Sequence, residues 1–171
     1  MNLEGGCACR TVRYSLNNSP LIVHACHCRD CQRLTGGPFV INIWIESKFV
    51  ERGAVAPKSF RLMGGSGKHH HDVFFCEACG TTLWSRYHIV PGDCLFVRAG
   101  TLDTPEAVRP DVHIYTRSKL PWLSLPEGAR AFQSSYKLDE VWSPESRERL
   151  RLNIAGVAWR SSWPPPCSAL G

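Results

Sequence analysis

The chain contains the hexapeptide Cys26-His27-Cys28-Arg29-Asp30-Cys31, which brings three thiols within six residues. Two further cysteine groups lie on either side of it, Cys7-Ala8-Cys9 and Cys76-Glu77-Ala78-Cys79-Gly80. A Cys-x-x-Cys turn can direct both sulfur atoms at one ion, and Cys-x-Cys places both side chains on the same side of an extended chain. The three groups therefore predict a fold built around metal-binding cysteine clusters.

The cysteine count favours metal over disulfides. Nine cysteines are an odd number, and in a reducing compartment such tight groups are typical of metal or redox chemistry. Iron–sulfur ligation is the chemical rival, but the spacings lack the longer ferredoxin pattern. Cys94 lies in an apolar run, which predicts an inert buried thiol. Cys167 lies in a Pro-rich tail and is not assigned a role.

The three groups supply seven thiolates, one fewer than two closed four-coordinate sites require. Structural zinc has four protein ligands, whereas catalytic zinc keeps three and leaves one position open. The simplest partition gives Cys7, Cys9, Cys76 and Cys79 to a structural zinc, and Cys26, Cys28 and Cys31 to an open, catalytic-type zinc. Spacing alone also permits Cys7 and Cys9 to join Cys26 and Cys28, or a histidine to supply the eighth ligand.

β-prone runs separated by turn residues dominate the sequence and predict a mainly β protein. A single helical turn after Cys28, stopped at Gly36-Gly37, would return Cys31 toward Cys28. The predicted strands are Thr11–Ser15, Leu21–His24, Phe39–Ile45, Ser59–Leu62, Val73–Phe75, Thr82–Ser85, Leu95–Ala99 and Val112–Tyr115.

The 171 residues suit one compact domain with an appendage. We divide the chain into a zinc domain, 1–136, and a C-terminal extension, 137–171. Ser143-Pro144 followed by Glu145 gives an N-cap, a first-turn proline and an early acid, which predict a helix over about 144–155. The Pro-rich tail follows it.

The charge pattern argues against two classes of partner. Lys plus Arg exceed Asp plus Glu by 20 to 15, but the basic residues form no stripe, so nucleic-acid binding is not expected. No apolar run approaches the ~20 residues of a membrane-spanning helix. The first residues lack a secretory signal, so a cytoplasmic location is expected.

Several motifs together resemble the glutathione-dependent formaldehyde-activating enzyme (GFA) family, which also includes centromere protein V. The resemblance extends from about Gly5 to Phe132. Its motifs are Gly5-Gly6-Cys7-x-Cys9 with Val12-Arg13-Tyr14, Cys26-His27-Cys28-x-x-Cys31-Gln32, Phe75-Cys76-x-x-Cys79-Gly80-Thr81, Ala99-Gly100-Thr101-Leu102-Asp103, His113-Ile114 and Pro121-Trp122.

The resemblance implies small twisted sheets related to the Mss4-like fold and two zinc ions, partitioned as the count suggests. It also implies a carbon–sulfur lyase reaction that joins formaldehyde to the thiol of glutathione or reverses that step. The expected partner is a small thiol or carbonyl compound, with glutathione as one candidate. Alternatives are a same-fold enzyme that does not use glutathione and a non-enzymatic zinc module that binds a macromolecule. The oligomeric state stays open.

No residue is assigned as catalytic. His27 is expected to support the site rather than react, because its side chain should point away from the neighbouring sulfurs. Asp30 is expected to cap the turn that carries it rather than to orient a ligand. His69-His70-His71 is interpreted as a solvated loop. The tryptophans considered as pocket walls, Trp44, Trp84 and Trp122, are interpreted as core residues.

Overall fold

The computed structural model describes residues 2–65 and 67–156. This part of the chain is mainly β, with three α-helices, α1 (Arg29–Thr35), α2 (Leu138–Val141) and α3 (Pro144–Gly156). The strands are β1 (Leu3–Gly6), β2 (Arg13–Leu16), β3 (Ile22–Cys26), β4 (Val40–Glu46), β5 (Val50–Arg52), β6 (Lys58–Met63), β7 (His70–Phe75), β8 (Thr82–Tyr87), β9 (Cys94–Arg98) and β10 (Val112–Ile114).

The strands form two sheets. The smaller has the order β1-β2-β5, and the larger has the order β10-β3-β4-β9-β8-β7-β6. All neighbours are antiparallel except β10 and β3, which run parallel. The larger sheet therefore crosses the molecule and separates two sets of buried side chains.

Each face of the larger sheet has its own core, as β4 illustrates. Because side chains alternate along a strand, Ile43 and Ile45 enter one core, while Val40 and Trp44 enter the other. The first core lies against the smaller sheet and contains Cys7 and Cys76. The second core contains Cys26 and Cys31 and residues from the C-terminal part of the chain, and the half-buried Cys28 packs against it; these three cysteines form the triplet. The two groups of thiols thus belong to opposite faces of one sheet.

All eight predicted strands are present, and two others were not predicted. In β1, a Cβ on Gly5 would lie 2.6 Å from the Tyr14 ring, so glycine permits the close approach of β1 to β2. β5 has three residues, of which only Val50 is buried. Neither segment carries the alternation of apolar and polar residues that identifies a strand.

The predicted C-terminal helix is present as α3. The Ser143 hydroxyl accepts a hydrogen bond from the Ser146 amide at 3.0 Å, as an N-cap does. Arg149 forms a bidentate ion pair with the buried Glu46, with 2.6 Å between Nη2 and Oε2, and Leu150 packs in the second core. The Pro-rich tail and Cys167 lie outside the described residues, and the division at residue 137 stays a prediction.

Two expectations about side chains are wrong. His70 and His71 belong to β7, and His71 is only 3% exposed because it stacks on Tyr87, with ring centroids 4.8 Å apart. Trp122 is 70% exposed, whereas Trp44 and Trp84 are core residues as predicted. Because side chains alternate along a strand, one of these three consecutive histidines points inward, which composition alone does not indicate.

None of the helices in the described segments is both long and apolar enough to span a membrane.

Candidate metal centres

The first centre is a quartet of cysteines from two distant parts of the chain. Cys7 and Cys9 follow β1, and Cys76 and Cys79 follow β7; their four sulfur atoms lie within 4.8 Å of one another. The Cys7–Cys9 and Cys9–Cys76 sulfur distances are 3.4 and 3.7 Å. Tetrahedral zinc with 2.3 Å bonds to sulfur requires sulfur atoms about 3.8 Å apart. The quartet therefore fits one closed tetrahedral ion.

The two halves of the quartet are built alike. The Cys7 amide donates to the Val12 carbonyl and the Cys76 amide to the Thr81 carbonyl, each at 3.0 Å. The residue after the second cysteine of each half is left-handed, Arg10 with φ 62° and Gly80 with φ 71°. Two equivalent turns therefore face each other, each contributing one buried and one exposed sulfur.

Local groups stabilise negative charge on the exposed sulfurs of the quartet. The Thr11 hydroxyl lies 3.2 Å from the Cys9 sulfur, and the Thr81 hydroxyl lies 3.2 Å from the Cys79 sulfur. The hydrogen bond with the Thr81 side chain is the main cause that lowers the pKa of Cys79 to about 5. Thiolates are the form that binds metal, so each turn prepares its own ligands.

The second centre is the triplet of Cys26, Cys28 and Cys31, whose sulfur atoms also lie within 4.8 Å of one another. Cys26 ends β3, Cys28 is the N-cap of α1, and Cys31 lies in the first turn of that helix. The Cys28 sulfur accepts a hydrogen bond from the Cys31 amide at 3.4 Å. No fourth Cys, His, Asp or Glu completes this group within residues 2–65 and 67–156.

The helix that carries the triplet ends as predicted, at the left-handed Gly36 with φ 68°. The expected role of Asp30 as the cap of its own turn is wrong. Its carboxylate accepts a hydrogen bond from the Gly65 amide at 2.7 Å, because the β6–β7 loop reaches over α1, and the thiol of Cys28 takes the capping position instead. Hydrogen bonds from the thiols of Cys26 and Cys31 lower the pKa of Cys28.

His27 lies between two triplet cysteines and is completely buried. Its Nε2 atom is 3.1 Å from Nδ1 of His113 on β10, and its ring packs against Phe39 with centroids 5.2 Å apart. The first contact joins the loop of the triplet to β10, and the second joins it to the residue before β4. They agree with the supporting role expected for His27.

Buried polar side chains near the triplet were not predicted. Asn42 donates from Nδ2 toward the Cys31 sulfur at 3.9 Å, and Arg98 donates to the Asn42 side-chain oxygen. Both residues are 3% exposed. The available signal was Asn42 itself, a polar residue in the otherwise apolar strand β4.

Two clefts lie near the first residues of β4, and Phe39 and Ile41 line both. One, of about 560 Å³, extends from Thr35 at the end of α1 to Thr81 beside the quartet and reaches Arg98. The other, of about 650 Å³, is lined by His113 and by residues 123–130. The lining of these two clefts contains no triplet cysteine.

The family model of the glutathione-dependent formaldehyde-activating enzyme matches residues 2–118, which are 117 of the 171 residues. The chain belongs to this family. The GFA match includes all seven clustered cysteines. Among solved structures, the chain is similar to a Rhodobacter sphaeroides protein from a structural genomics programme, with 21% identity and a TM-score of 0.46, covering 63% of this chain and 92% of that one. No curated protein matches the chain significantly.

Proposed function

We propose that this GFA-family chain is a zinc enzyme that forms or cleaves the carbon–sulfur bond of a thiol–carbonyl adduct at the Cys26–Cys28–Cys31 centre. The observation that carries the proposal is the unequal number of thiols, four in one cluster and three in the other. A four-thiolate site is typical of structural zinc, whereas three ligands leave a position for substrate. The quartet is accordingly assigned a structural zinc.

The family description supplies the substrate class for the proposal, namely glutathione and formaldehyde. Addition of a thiol to formaldehyde forms one C–S bond and converts the carbonyl to a hydroxymethyl group. The thiol proton ends on the former carbonyl oxygen, so the reaction needs no oxidant or reductant. Zinc bound by three thiolates would supply a soft, positively charged position suited to a sulfur ligand.

The other residues of the chain hold the three thiols in position and bury them. β3 and the first turn of α1 place the three thiols together, and the second core surrounds them with apolar side chains. Burial strengthens electrostatic interactions at the centre. The cleft beside Thr35 gives a small molecule room next to the helix that bears Cys31. A small thiol and a carbonyl compound are the proposed partners, and a reducing cytoplasm is the proposed location.

The activity can be tested by NMR with ¹³C-labelled formaldehyde and glutathione. The measured quantity is the rate at which the labelled carbon exchanges between free formaldehyde and the thiol adduct. We expect the zinc-loaded protein to accelerate the exchange at least about tenfold, because positioning and charge stabilisation each contribute that much or more. Cys28→Ala should return the rate to background. Cys94→Ala is the matched control, since it removes a buried thiol that belongs to neither cluster.

Equal exchange rates with and without the protein would contradict the proposed reaction. Acceleration with cysteine or another small thiol but not with glutathione would instead identify the glutathione-independent enzyme. No acceleration with any thiol, together with one zinc per chain, would favour a zinc module without enzymatic activity.

A further inference from the structure

A row of polar side chains crosses the second-core face of the larger sheet. His24, Asn42 and Arg98 are directly paired across β3, β4 and β9, and they are 5%, 3% and 3% exposed. Burying polar groups, and above all a charge, is costly unless partners compensate for the lost water. The row therefore calls for a reason beyond packing.

Arg98 is a buried cation without a carboxylate partner in residues 2–65 and 67–156. Its Nη2 donates to the Ser85 hydroxyl at 2.6 Å, its Nη1 donates to the Asn42 side-chain oxygen, and its Nε has no protein partner. These partners are neutral. Cys31 of the triplet is a nearby group that can carry negative charge, because its sulfur lies 3.9 Å from Nδ2 of Asn42, the residue that Arg98 holds. Three thiolates with one Zn²⁺ carry a net charge of −1, which one guanidinium balances.

The contact with Arg98 also fixes the orientation of the Asn42 amide. A guanidinium has only donors, so the Asn42 oxygen must face Arg98. The amide NH₂ group then faces Cys31, and its nitrogen lies 3.9 Å from the Cys31 sulfur. Ser85 holds the second arm of the guanidinium and thereby its rotation. A chain of contacts thus runs from Ser85 through Arg98 and Asn42 to one triplet sulfur.

We propose that Arg98, acting through Asn42, is a positioning residue that fixes Cys31 and balances the negative charge of the metal-loaded triplet. The inference rests on the proposed function, because it requires a metal ion at the triplet. Hydrogen-bonded partners of metal ligands typically contribute a factor of about 10 to 100 to metal affinity. The same range is expected for the contribution of Asn42 and Arg98.

The decisive variant is Asn42→Asp in the zinc-loaded protein. The new carboxylate pairs with Arg98 and keeps the fold, but it removes the NH₂ donor to Cys31 and cancels the guanidinium charge. With a chromophoric chelator as competitor, zinc should leave wild type in two phases, the triplet first. Asn42→Asp should release the first zinc at a competitor concentration lower by about 10- to 100-fold, with the second phase and the melting temperature unchanged.

A spectroscopic measurement separates positioning from mere structural support. Co²⁺ exchanged into the triplet gives a thiolate-to-metal charge-transfer band whose energy depends on hydrogen bonds to sulfur. Arg98→Met and Asn42→Asp should shift this band to longer wavelength. The band of Arg98→Lys, which keeps the charge, should lie between the bands of these two variants and that of wild type. Arg33→Met is the matched control, since Arg33 is an exposed arginine on the helix that bears Cys31.

The outcomes are distinguishable. Suppose that wild type releases two zinc ions in two phases. If Asn42→Asp then releases its first zinc at the same chelator concentration and has its charge-transfer band at the same wavelength as wild type, the role of Arg98 and Asn42 is overturned while the proposed zinc centre stands. If Arg98→Met unfolds and the folded Asn42→Asp behaves like wild type, Arg98 is structural and the inference is wrong. If wild type holds one zinc, the proposed function fails and the inference fails with it.

Discussion

The two cysteine clusters differ in what surrounds their sulfur atoms. The quartet is served by its own turns: the Val12 amide donates to the Cys7 sulfur at 3.2 Å, and the hydroxyls of Thr11 and Thr81 lie beside the exposed sulfurs. The triplet has one local bond of this kind, from the Cys31 amide to the Cys28 sulfur, but it also receives a side chain from another strand, since Asn42 on β4 reaches Cys31. A centre formed by local backbone is suited to holding an ion permanently. A centre formed by distant side chains can be adjusted without altering its ligands.

The largest expected effect comes from removing one ligand of each cluster. Cys76→Ala should abolish cooperative folding, because structural zinc contributes on the order of 10 kcal/mol, comparable to the whole stability of a domain. Cys28→Ala should fold, lose one zinc and lose activity. Zinc content by mass spectrometry under native conditions and thermal unfolding measure both outcomes.

Cys94→Ala again serves as the control, with two zinc ions retained and a loss of about 1 kcal/mol. If Cys28→Ala unfolds as Cys76→Ala does, the two centres are both structural, and the comparison between a closed and an open site fails.

A smaller loss of stability is expected when the ion pair that joins α3 to the larger sheet is removed. Arg149→Met leaves the carboxylate of Glu46, which is 1% exposed, buried without its partner, and should lower the free energy of unfolding by about 3 kcal/mol. Urea unfolding of the zinc-loaded protein measures the loss. The double variant Glu46→Gln with Arg149→Met should recover part of it, because no uncompensated charge remains.

Zinc content should stay at wild-type level in both variants, since α3 supplies no cysteine. A double variant as unstable as Arg149→Met alone would show that the loss comes from packing rather than from the buried carboxylate.

The smallest expected change in stability comes from substitutions in the two turns of the quartet. Gly80→Ala places a side chain at φ 71° with nothing within 4 Å of its Cβ, so the cost is conformational and about 1 kcal/mol. Arg10→Gly, at φ 62°, should instead raise stability by up to about 1 kcal/mol. Urea midpoints of the zinc-loaded variants should move in opposite directions. Shifts of the same sign would mean that the two turns are not equivalent.

The sequence predicts the strands well and the site only in part. Runs of apolar residues located β4 and β9, and the simplest partition of the seven thiols gave the two groups that the structure brings together, although spacing alone left other partitions open. β1 was missed because its glycines serve a close approach to Tyr14, which depends on tertiary contact. Arg98 was missed because its pairing with Asn42 and Ser85 follows from strand register, and register is not visible in one sequence.

The separation of ligands along the chain determines when each centre can be completed during synthesis on the ribosome. The triplet lies within six residues, so it can capture an ion soon after it emerges. The quartet must wait for its second half, because 67 positions separate Cys9 from Cys76. Closing so long a loop has an entropic cost that the growing chain meets only after most of the larger sheet has been translated. The ligands of the triplet are therefore expected to be complete in the nascent protein before those of the quartet.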